Sequence, residues 1–228
     1  MTSKVGLVYS DDYLKHDTGD HPENGKRLEA ILSLLKEKNV LEDLTFINPR
    51  KADLKEIEYL HSPSYIQEVR ETCQRGGGFL DSDTPLSRES FEVALLATGG
   101  VFSGIDRVLE DLDSVFCLVR PPGHHALKSQ GMGFCLFNNV ALGARYAQNK
   151  HRLEKVLIVD WDLHHGNGTQ EAFWHDPSVL YFSIHQYPHY PGTGAIEEIG
   201  EGEGRGHTIN VPLPPGCGDG DYIYIFKE

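Results

Sequence analysis

The sequence predicts an α/β protein built around a mostly parallel sheet. Short apolar segments rich in β-branched residues alternate with longer segments whose apolar residues recur every three or four positions. The chain has 228 residues, which is enough for one large domain with a sizeable core. It contains no internal repeat and no Pro/Ser-rich linker. We therefore expect a single domain over residues 1–228.

The first half of the chain should contain one strand and three helices. Residues 5–9 are apolar and form the predicted first strand. A helix with 3.6-residue periodicity follows. Its apolar positions are Leu28, Ile31, Leu32 and Leu35. Ser62 followed by Pro63 is typical of an N-cap with proline in the first turn, so a helix should run from there to about Gln74. Another long helix covers residues 87–110.

The second half alternates strands with a helix. A buried strand is predicted over residues 115–119, a helix over 139–149 and a strand over 155–160. Two further strands should cover residues 179–185 and 208–211. Strands separated by helical segments are typical of a parallel sheet.

Polar loops follow three of these strands. They cover residues 120–138, 160–168 and 185–194. In an open α/β sheet, functional sites form outside the carboxyl ends of the strands. We therefore expect all three loops to converge on one crevice.

Composition narrows the class of protein. The net charge of −13 argues against direct binding to nucleic acids and favours a positively charged substrate, although acidity also simply keeps a protein soluble. The longest apolar runs are too short to span a bilayer, and the N-terminus lacks a signal segment. No cysteine pair has C-x-x-C spacing, so we expect free thiols and a cytoplasmic protein. The cysteines are Cys73, Cys117, Cys135 and Cys217.

An alternation of acidic residues and histidine ends the strand predicted at 155–160. While the chain stays extended, Asp160, Asp162 and His164 should share one side. Carboxylate and imidazole groups both suit zinc, at about 2.0–2.2 Å. Two such ligands need a third from elsewhere and an open position for water. The alternative is a polar loop that merely ends a strand.

Adjacent histidines follow a rigid turn. Two prolines and Gly123 precede His124 and His125. One task for a rigid histidine pair is proton transfer near pH 7, and the alternative is a surface turn. Further along, Gly133 allows close backbone approach to a ligand. Phe134 and the aromatic segment 187–194, which contains Tyr190, could form two walls of a slot for an alkyl chain, or simply belong to the core.

Together these motifs resemble the histone deacetylase family. The motifs that carry the resemblance are HPE at 21–23 with RL at 27–28, GGGFLDSDTP at 76–85, RPPGHHA at 120–126, GFCLFNN at 133–139 and VDWDLHHGNGTQ at 159–170. The glycine-rich second motif is similar to the class II and bacterial branch, which includes acetylpolyamine amidohydrolases. The resemblance implies the three-layer α/β/α arginase/deacetylase fold with a mostly parallel sheet, incomplete at the C-terminus.

The resemblance also implies a role for each matching residue. Asp162 and His164 would be two of three zinc ligands. His124 would be paired with Asp160, and His125 with Asn167. An asparagine partner stabilises an imidazolium less than a carboxylate does, so His125 should be the less basic of the two.

Other positions would bind substrate or a second ion. Phe134 and Tyr190 would line an acyl-lysine channel beside Gly133, with Asp83 gripping the substrate backbone at the rim. Backbone carbonyls of the zinc-binding strand end would hold a potassium ion together with the next strand. The positions implied for potassium are Asp160, Asp162, His164, Ser183 and Ile184.

The implied activity is zinc-dependent hydrolysis that removes acetyl groups from acetyl-lysine or acetylated polyamines. In the family, a third aspartate ligand and an oxyanion-stabilising tyrosine lie later in the domain, and neither motif occurs here. Asp176, Asp219 and Asp221 are not assigned to zinc. We therefore expect these 228 residues alone to be weakly active or inactive.

Two other functions are compatible with parts of the sequence. An arginase-like ureohydrolase would share the fold, but it would need a dimanganese site rich in aspartate, against which the His124–His125 pair argues. A non-catalytic module that binds acyl-lysine or a partner is the alternative of a different class. The sequence does not indicate an oligomeric state.

Overall fold

A computed structural model describes residues 3–227. Met1 and Thr2, which open the N-terminal segment judged to lack a signal, and Glu228 lie outside the described residues. The chain divides into two compact units, the first running to Arg152 and the second beginning at Leu153. Each contains a three-stranded parallel sheet, which confirms the predicted α/β class with mostly parallel strands. The single domain over residues 1–228 stays a prediction.

The sheet of the first unit is centred on the predicted first strand. Strand β1 (Val5–Val8) pairs in parallel with β2 (Leu44–Ile47) on one side and β5 (Ser114–Cys117) on the other. The description of β5 as buried is wrong, because Phe116 is 44% exposed. The apolar sequence predicted a strand covered on both faces, but within residues 3–227 alternate residues of β5 are exposed, so one face of the strand is left open.

The predicted helices of the first unit are present. They are α1 (Lys26–Glu37), α3 (Pro63–Gln74), α4 (Ser90–Glu110) and α5 (Asn139–His151). The Ser62 hydroxyl accepts a hydrogen bond from the Tyr65 backbone N–H at 3.3 Å, as an N-cap should. Helix α4 is buried along most of its length, which matches its largely apolar sequence. Phe102 of α4 stacks on Tyr146 of α5 with ring centroids 4.2 Å apart.

Several short elements of the first unit were not predicted. They are β2, the one-turn helix α2 (Leu54–Ile57) and the antiparallel hairpin of β3 (Gly77–Phe79) and β4 (Pro85–Ser87). Segments of three or four residues are too short for periodicity to be visible. Strands β1 and β5 are as short as β2 but lie in apolar runs of five residues, whereas Thr45 interrupts the apolar residues of β2. The hairpin also begins with glycines. A Cβ on Gly77 would lie 2.3 Å from the Leu86 carbonyl oxygen, so the close pairing of these strands needs glycine there.

The second unit contains the sheet β6–β7–β8. Strand β7 (Val179–Gln186) lies between β6 (Val156–Asp160) and β8 (Thr208–Leu213), and all pairs are parallel. Helix α6 (Asn167–Phe173) follows the polar loop after β6, and α7 (Asp219–Ile225) comes after β8. The predicted strands are therefore confirmed, with boundaries shifted by at most two residues.

Among residues 3–227, no helix combines the length and the apolar character needed to cross a bilayer. The four cysteines are thiols outside any disulfide in the described residues, two of them buried and two partly exposed. The cytoplasmic location stays a prediction.

Candidate active site

The polar segment after β6 is folded by its own side chains. Strand β6 ends at Asp160, whose Oδ1 accepts a hydrogen bond from the Asp162 backbone N–H at 3.1 Å. Asp162 Oδ1 in turn accepts from the His164 backbone N–H at 2.8 Å. The expectation that the chain stays extended to His164 is therefore wrong, because each aspartate bends the backbone two residues ahead of it.

Asp162 and His164 nevertheless lie together. Asp162 Oδ1 is 3.2 Å from His164 Nδ1, and the two side chains are 51% and 34% exposed. Two zinc ligands at about 2.0–2.2 Å in a tetrahedron stand about 3.4 Å apart, so this pair fits one zinc ion closely. Across residues 3–227, no group of three or more His, Cys, Asp or Glu side chains is arranged to hold a metal.

Asp160 faces a buried tyrosine. The Tyr181 hydroxyl lies 3.3 Å from Asp160 Oδ2 and 3.2 Å from the Gly166 carbonyl oxygen. Burial, and then the charge of Asp160, raise the pKa of Tyr181 well above its ordinary value. The hydroxyl therefore stays protonated near neutral pH and can donate to the carboxylate.

Of the residues predicted to hold potassium, Asp160 ends β6, and Ser183 and Ile184 lie in β7. The strand register places Asp160 opposite Ser183, which is fully buried together with Ile184. Just beyond, the Gln186 backbone N–H donates to the Leu163 carbonyl oxygen at 2.9 Å, so the loop after β6 follows the end of β7. A potassium ion at this place stays a prediction.

Aromatic rings lie against His164. The ring centroids of His189 and Tyr190 are 5.1 Å and 5.9 Å from that of His164, and both rings are nearly perpendicular to it. Tyr190 is 36% exposed. The predicted substrate wall and a predicted metal ligand are therefore neighbours in the second unit.

The adjacent histidines lie in the first unit. The rings of His124 and His125 are 4.0 Å apart, and His125 is 3% exposed. Their turn is fixed from the start of α5. The Asn139 side chain donates to the Pro121 carbonyl oxygen at 3.0 Å, and a Cβ on Gly123 would lie 2.5 Å from the Asn139 nitrogen. The turn is thus rigid, as predicted from its composition.

The proposed partners of these histidines belong to the second unit. Pairing of His124 with Asp160, and of His125 with Asn167, stays a prediction. The same holds for a channel formed jointly by Phe134 and Tyr190.

Phe134 has an unusual backbone in the first unit. Its φ is 71°, in the left-handed region, and the preceding Gly133 also has a positive φ of 55°. The Phe134 N–H donates to the Thr84 hydroxyl at 3.0 Å, and the ring meets His21 edge-on at 4.5 Å. These contacts fix the direction of the Phe134 side chain.

Asp83 lies one residue before Thr84. Its pKa is raised above its ordinary value, first by burial and then by its hydrogen bond to the Asp81 carboxyl. The predicted role of Asp83 in gripping a substrate stays a prediction.

His61 supports the loop after the histidine pair and was not identified from the sequence. The Asn138 backbone N–H donates to its Nε2 at 2.9 Å, so the proton is on Nδ1, which donates to the Leu127 carbonyl oxygen at 2.9 Å. Burial lowers the pKa of His61 to about 4. The position of His61 just before a helix gives no indication that it contacts Leu127 and Asn138.

Arg120 is a second residue whose role the sequence did not reveal. It is 1% exposed, and its Nε donates to both carboxylate oxygens of Glu23 at 2.8 Å and 3.1 Å. Nη2 donates to the Thr18 hydroxyl at 3.0 Å, and Nη1 donates to the carbonyl oxygens of Tyr13 and His16. Arg120 therefore ties the N-terminal segment to the turn that carries the histidines.

Comparison with known proteins assigns these features to a family. A sequence-family model described as the histone deacetylase domain matches residues 21–228 of this chain. An uncharacterized protein of Synechocystis, slr0245, is 44% identical over 201 residues, covering 86% of this chain and 66% of that protein. A protein of Archaeoglobus fulgidus named as a probable deacetylase is 41% identical over 202 residues, covering 87% of this chain and 56% of that protein.

Among solved structures, the crystal structure of the HDA15 HD domain matches with a TM-score of 0.93 and 39% identity. The match covers 99% of this chain and 67% of that one. The chain thus spans roughly 56–66% of the length of these two curated relatives.

Proposed function

Because the chain belongs to the histone deacetylase family, we propose that its residues serve zinc-dependent hydrolysis of acetylated amines. The substrate class is acetyl-lysine in a peptide or protein, or an acetylated polyamine. The net charge of −13 supports this choice, since an anionic surface attracts cationic substrates.

One observation carries the proposal. Asp162 Oδ1 and His164 Nδ1 stand 3.2 Å apart on a partly exposed loop, close to the spacing of two ligands on one zinc ion. Their chemistry also fits, because zinc in catalytic sites takes histidine nitrogen and carboxylate oxygen. A zinc ion held there would supply Lewis acidity, polarising an amide carbonyl and acidifying water.

The chain's own groups would orient the substrate and move protons. We assign proton transfer to His124 and His125, whose rings lie side by side. Asp160, within reach of the Tyr181 hydroxyl, would orient His124, whereas the uncharged Asn167 would leave His125 less basic. Phe134 and Tyr190 would bind the alkyl part of an acyl-lysine, with Gly133 and Asp83 contacting its backbone side.

A potassium ion is a further part of the proposal. Backbone carbonyls near Asp160, Asp162 and His164 would hold it with those of Ser183 and Ile184. The opposition of Asp160 and Ser183 in the sheet supports this assignment.

Zinc titration of the full 228-residue chain, measured by calorimetry, tests the ligand pair. Asp162→Asn keeps an acceptor for the His164 N–H but removes the carboxylate charge, and His164→Ala removes the imidazole. Each should weaken zinc binding by more than about 100-fold, because loss of a residue that only hydrogen-bonds to a metal ligand already lowers metal affinity by about 10–100-fold.

Matched controls use residues of the same type away from the pair. His175→Ala replaces an exposed histidine, and Asp219→Asn replaces an exposed carboxylate at the start of α7. Both should bind zinc as the wild type does. Equal zinc affinity in all four variants would refute the assignment, and a wild-type chain that takes up no zinc would favour a non-catalytic binding module.

A further inference from the structure

The segment 187–194 lies beside His164 and is anchored at both ends. At its start, the Tyr187 backbone N–H donates to the Leu213 carbonyl oxygen of β8 at 2.8 Å. In its middle, the rings of His189 and Tyr190 meet the ring of His164. At its end, the buried His185 and the half-buried Glu198 bind the backbone of Gly194. These contacts limit where the middle of the segment can lie.

Gly194 is held at both its backbone N–H and its carbonyl oxygen. Its carbonyl oxygen accepts a hydrogen bond from His185 Nε2 at 2.9 Å, and its N–H lies 3.1 Å from each carboxylate oxygen of Glu198. Its φ is +92°, and a Cβ there would lie 2.4 Å from His185 Nε2 and 2.6 Å from His165 Cγ. Only glycine fits this contact with the two rings.

A chain of hydrogen bonds determines the tautomer of His165. Glu198 can only accept, so the 2.5 Å contact from Gln170 Nε2 places the amide NH₂ of Gln170 toward it. Gln170 Oε1 is then the atom that faces His165 Nε2 at 3.1 Å, and Nε2 must carry the proton. His165 Nδ1 is therefore an acceptor, and the Thr193 hydroxyl donates to it at 2.8 Å.

His165 is thus bonded through both ring nitrogens, and it is only 1% exposed. It follows His164 directly in the chain, so one peptide bond joins the proposed ligand to the buried residue. Thr193 is three residues after Tyr190 on the segment that lies against His164. A displacement at Thr193 would therefore move the Tyr190 ring relative to His164.

We propose that His165 is a positioning residue, which through Thr193 fixes the segment 187–194 and holds Tyr190 against the imidazole of His164. The consequence for function rests on the proposed deacetylase activity, in which His164 is a ligand and Tyr190 a substrate wall. One buried ring would then set the distance between the metal and that wall.

The deciding variants are at Thr193. His165→Ala would empty a buried site, and a general loss of stability could follow. Thr193 is exposed, so its substitution should leave the core intact. Thr193→Val removes the hydroxyl that donates to His165 while keeping the shape of the side chain, and Thr193→Ser keeps that hydroxyl. The pair separates loss of the hydrogen bond from loss of packing.

Hydrogen–deuterium exchange measures the anchoring directly. In Thr193→Val, amides of residues 187–194 should exchange about three- to tenfold faster, the effect expected for one lost hydrogen bond. In Thr193→Ser they should exchange as in the wild type, and β7 should be unchanged in both. Unchanged exchange in Thr193→Val, or equal acceleration in α6, β7 and β8, would overturn the proposal.

The ring signals of His164 provide a second readout that a general stabilising role would not move. In a sample with ¹³C-labelled histidine, Tyr190→Leu gives the His164 ring shifts expected when the tyrosine ring is absent. Thr193→Val should move the His164 shifts toward that reference, and Thr193→Ser should not. Wild-type His164 shifts in Thr193→Val would contradict the proposal. Both measurements use the chain without zinc or substrate, so failure of zinc binding leaves their outcome readable.

Discussion

The buried histidine His61 should make the stability of the fold depend on pH. Its folded-state pKa is lowered from 6.5 to about 4, chiefly because burial disfavours the charged ring. Protonation of Nε2 would also break the bond from the Asn138 backbone N–H. Between these two pKa values the unfolded chain binds a proton that the folded chain does not, so the free energy of unfolding falls as the pH falls.

The size of this effect follows from the two pKa values. A fall from 6.5 to about 4 corresponds to about 3 kcal/mol in total, at about 1.4 kcal/mol per pH unit. The contribution is fully present above pH 6.5 and is lost progressively toward pH 4. Of the total, about 2 kcal/mol should be lost between about pH 7 and pH 5.

Urea unfolding followed by circular dichroism at several pH values isolates the contribution of His61. His61→Gln disturbs the buried hydrogen bonds to Leu127 and Asn138, so it should be less stable than the wild type at pH 7, and it cannot be protonated in this range. The difference between the two should shrink by about 2 kcal/mol at pH 5. His175→Gln, at an exposed position, should keep the wild-type pH dependence. A constant difference between His61→Gln and the wild type across this range would refute the reasoning.

Two substitutions should test how the first unit is held together. Glu23→Gln leaves the Arg120 guanidinium buried without its carboxylate and should lower the free energy of unfolding by about 3–5 kcal/mol. The control Glu29→Gln, at an exposed position of α1, should change the free energy of unfolding little. Phe102→Ala removes a fully buried ring stacked on Tyr146 and should cost about 3–5 kcal/mol, against little for Leu109→Ala, which is 45% exposed. Urea unfolding measures both, and equal stability of either variant and its control would show that the contact is not stabilising.

Much of the fold could be predicted because its longer elements carry repeated local signals. Helix α3 has a serine cap, a proline at its first position and periodic apolar residues, and the structure starts it at Pro63. Strand β2 is as short as β1, but Thr45 interrupts its apolar residues, and the hairpin strands have only three residues each, so no local signal indicated them. The exposure of one face of β5 could not be predicted either, because it depends on which parts of the tertiary fold cover that face.

The candidate site was predictable to the extent that neighbouring residues carry it. Asp162 and His164 lie two apart, and the aspartate side chain itself folds the loop, so the sequence contains the whole interaction. The support of His61 for Leu127 and Asn138 joins segments 66 and 77 positions apart. Such contacts depend on the tertiary fold and leave no local pattern.

Within each motif, the structure divides the residues between the site and the core. Arg120 is buried under the N-terminal segment, while His124 four positions later is partly exposed. His165 turns inward to Gln170 and Thr193, while its neighbour His164 faces Asp162 and solvent. A buried polar residue with every donor and acceptor satisfied is costly to replace, because its partners then lose theirs. Substitution of these inward residues should therefore impair the site indirectly, by releasing the turn or loop that presents the outward ones.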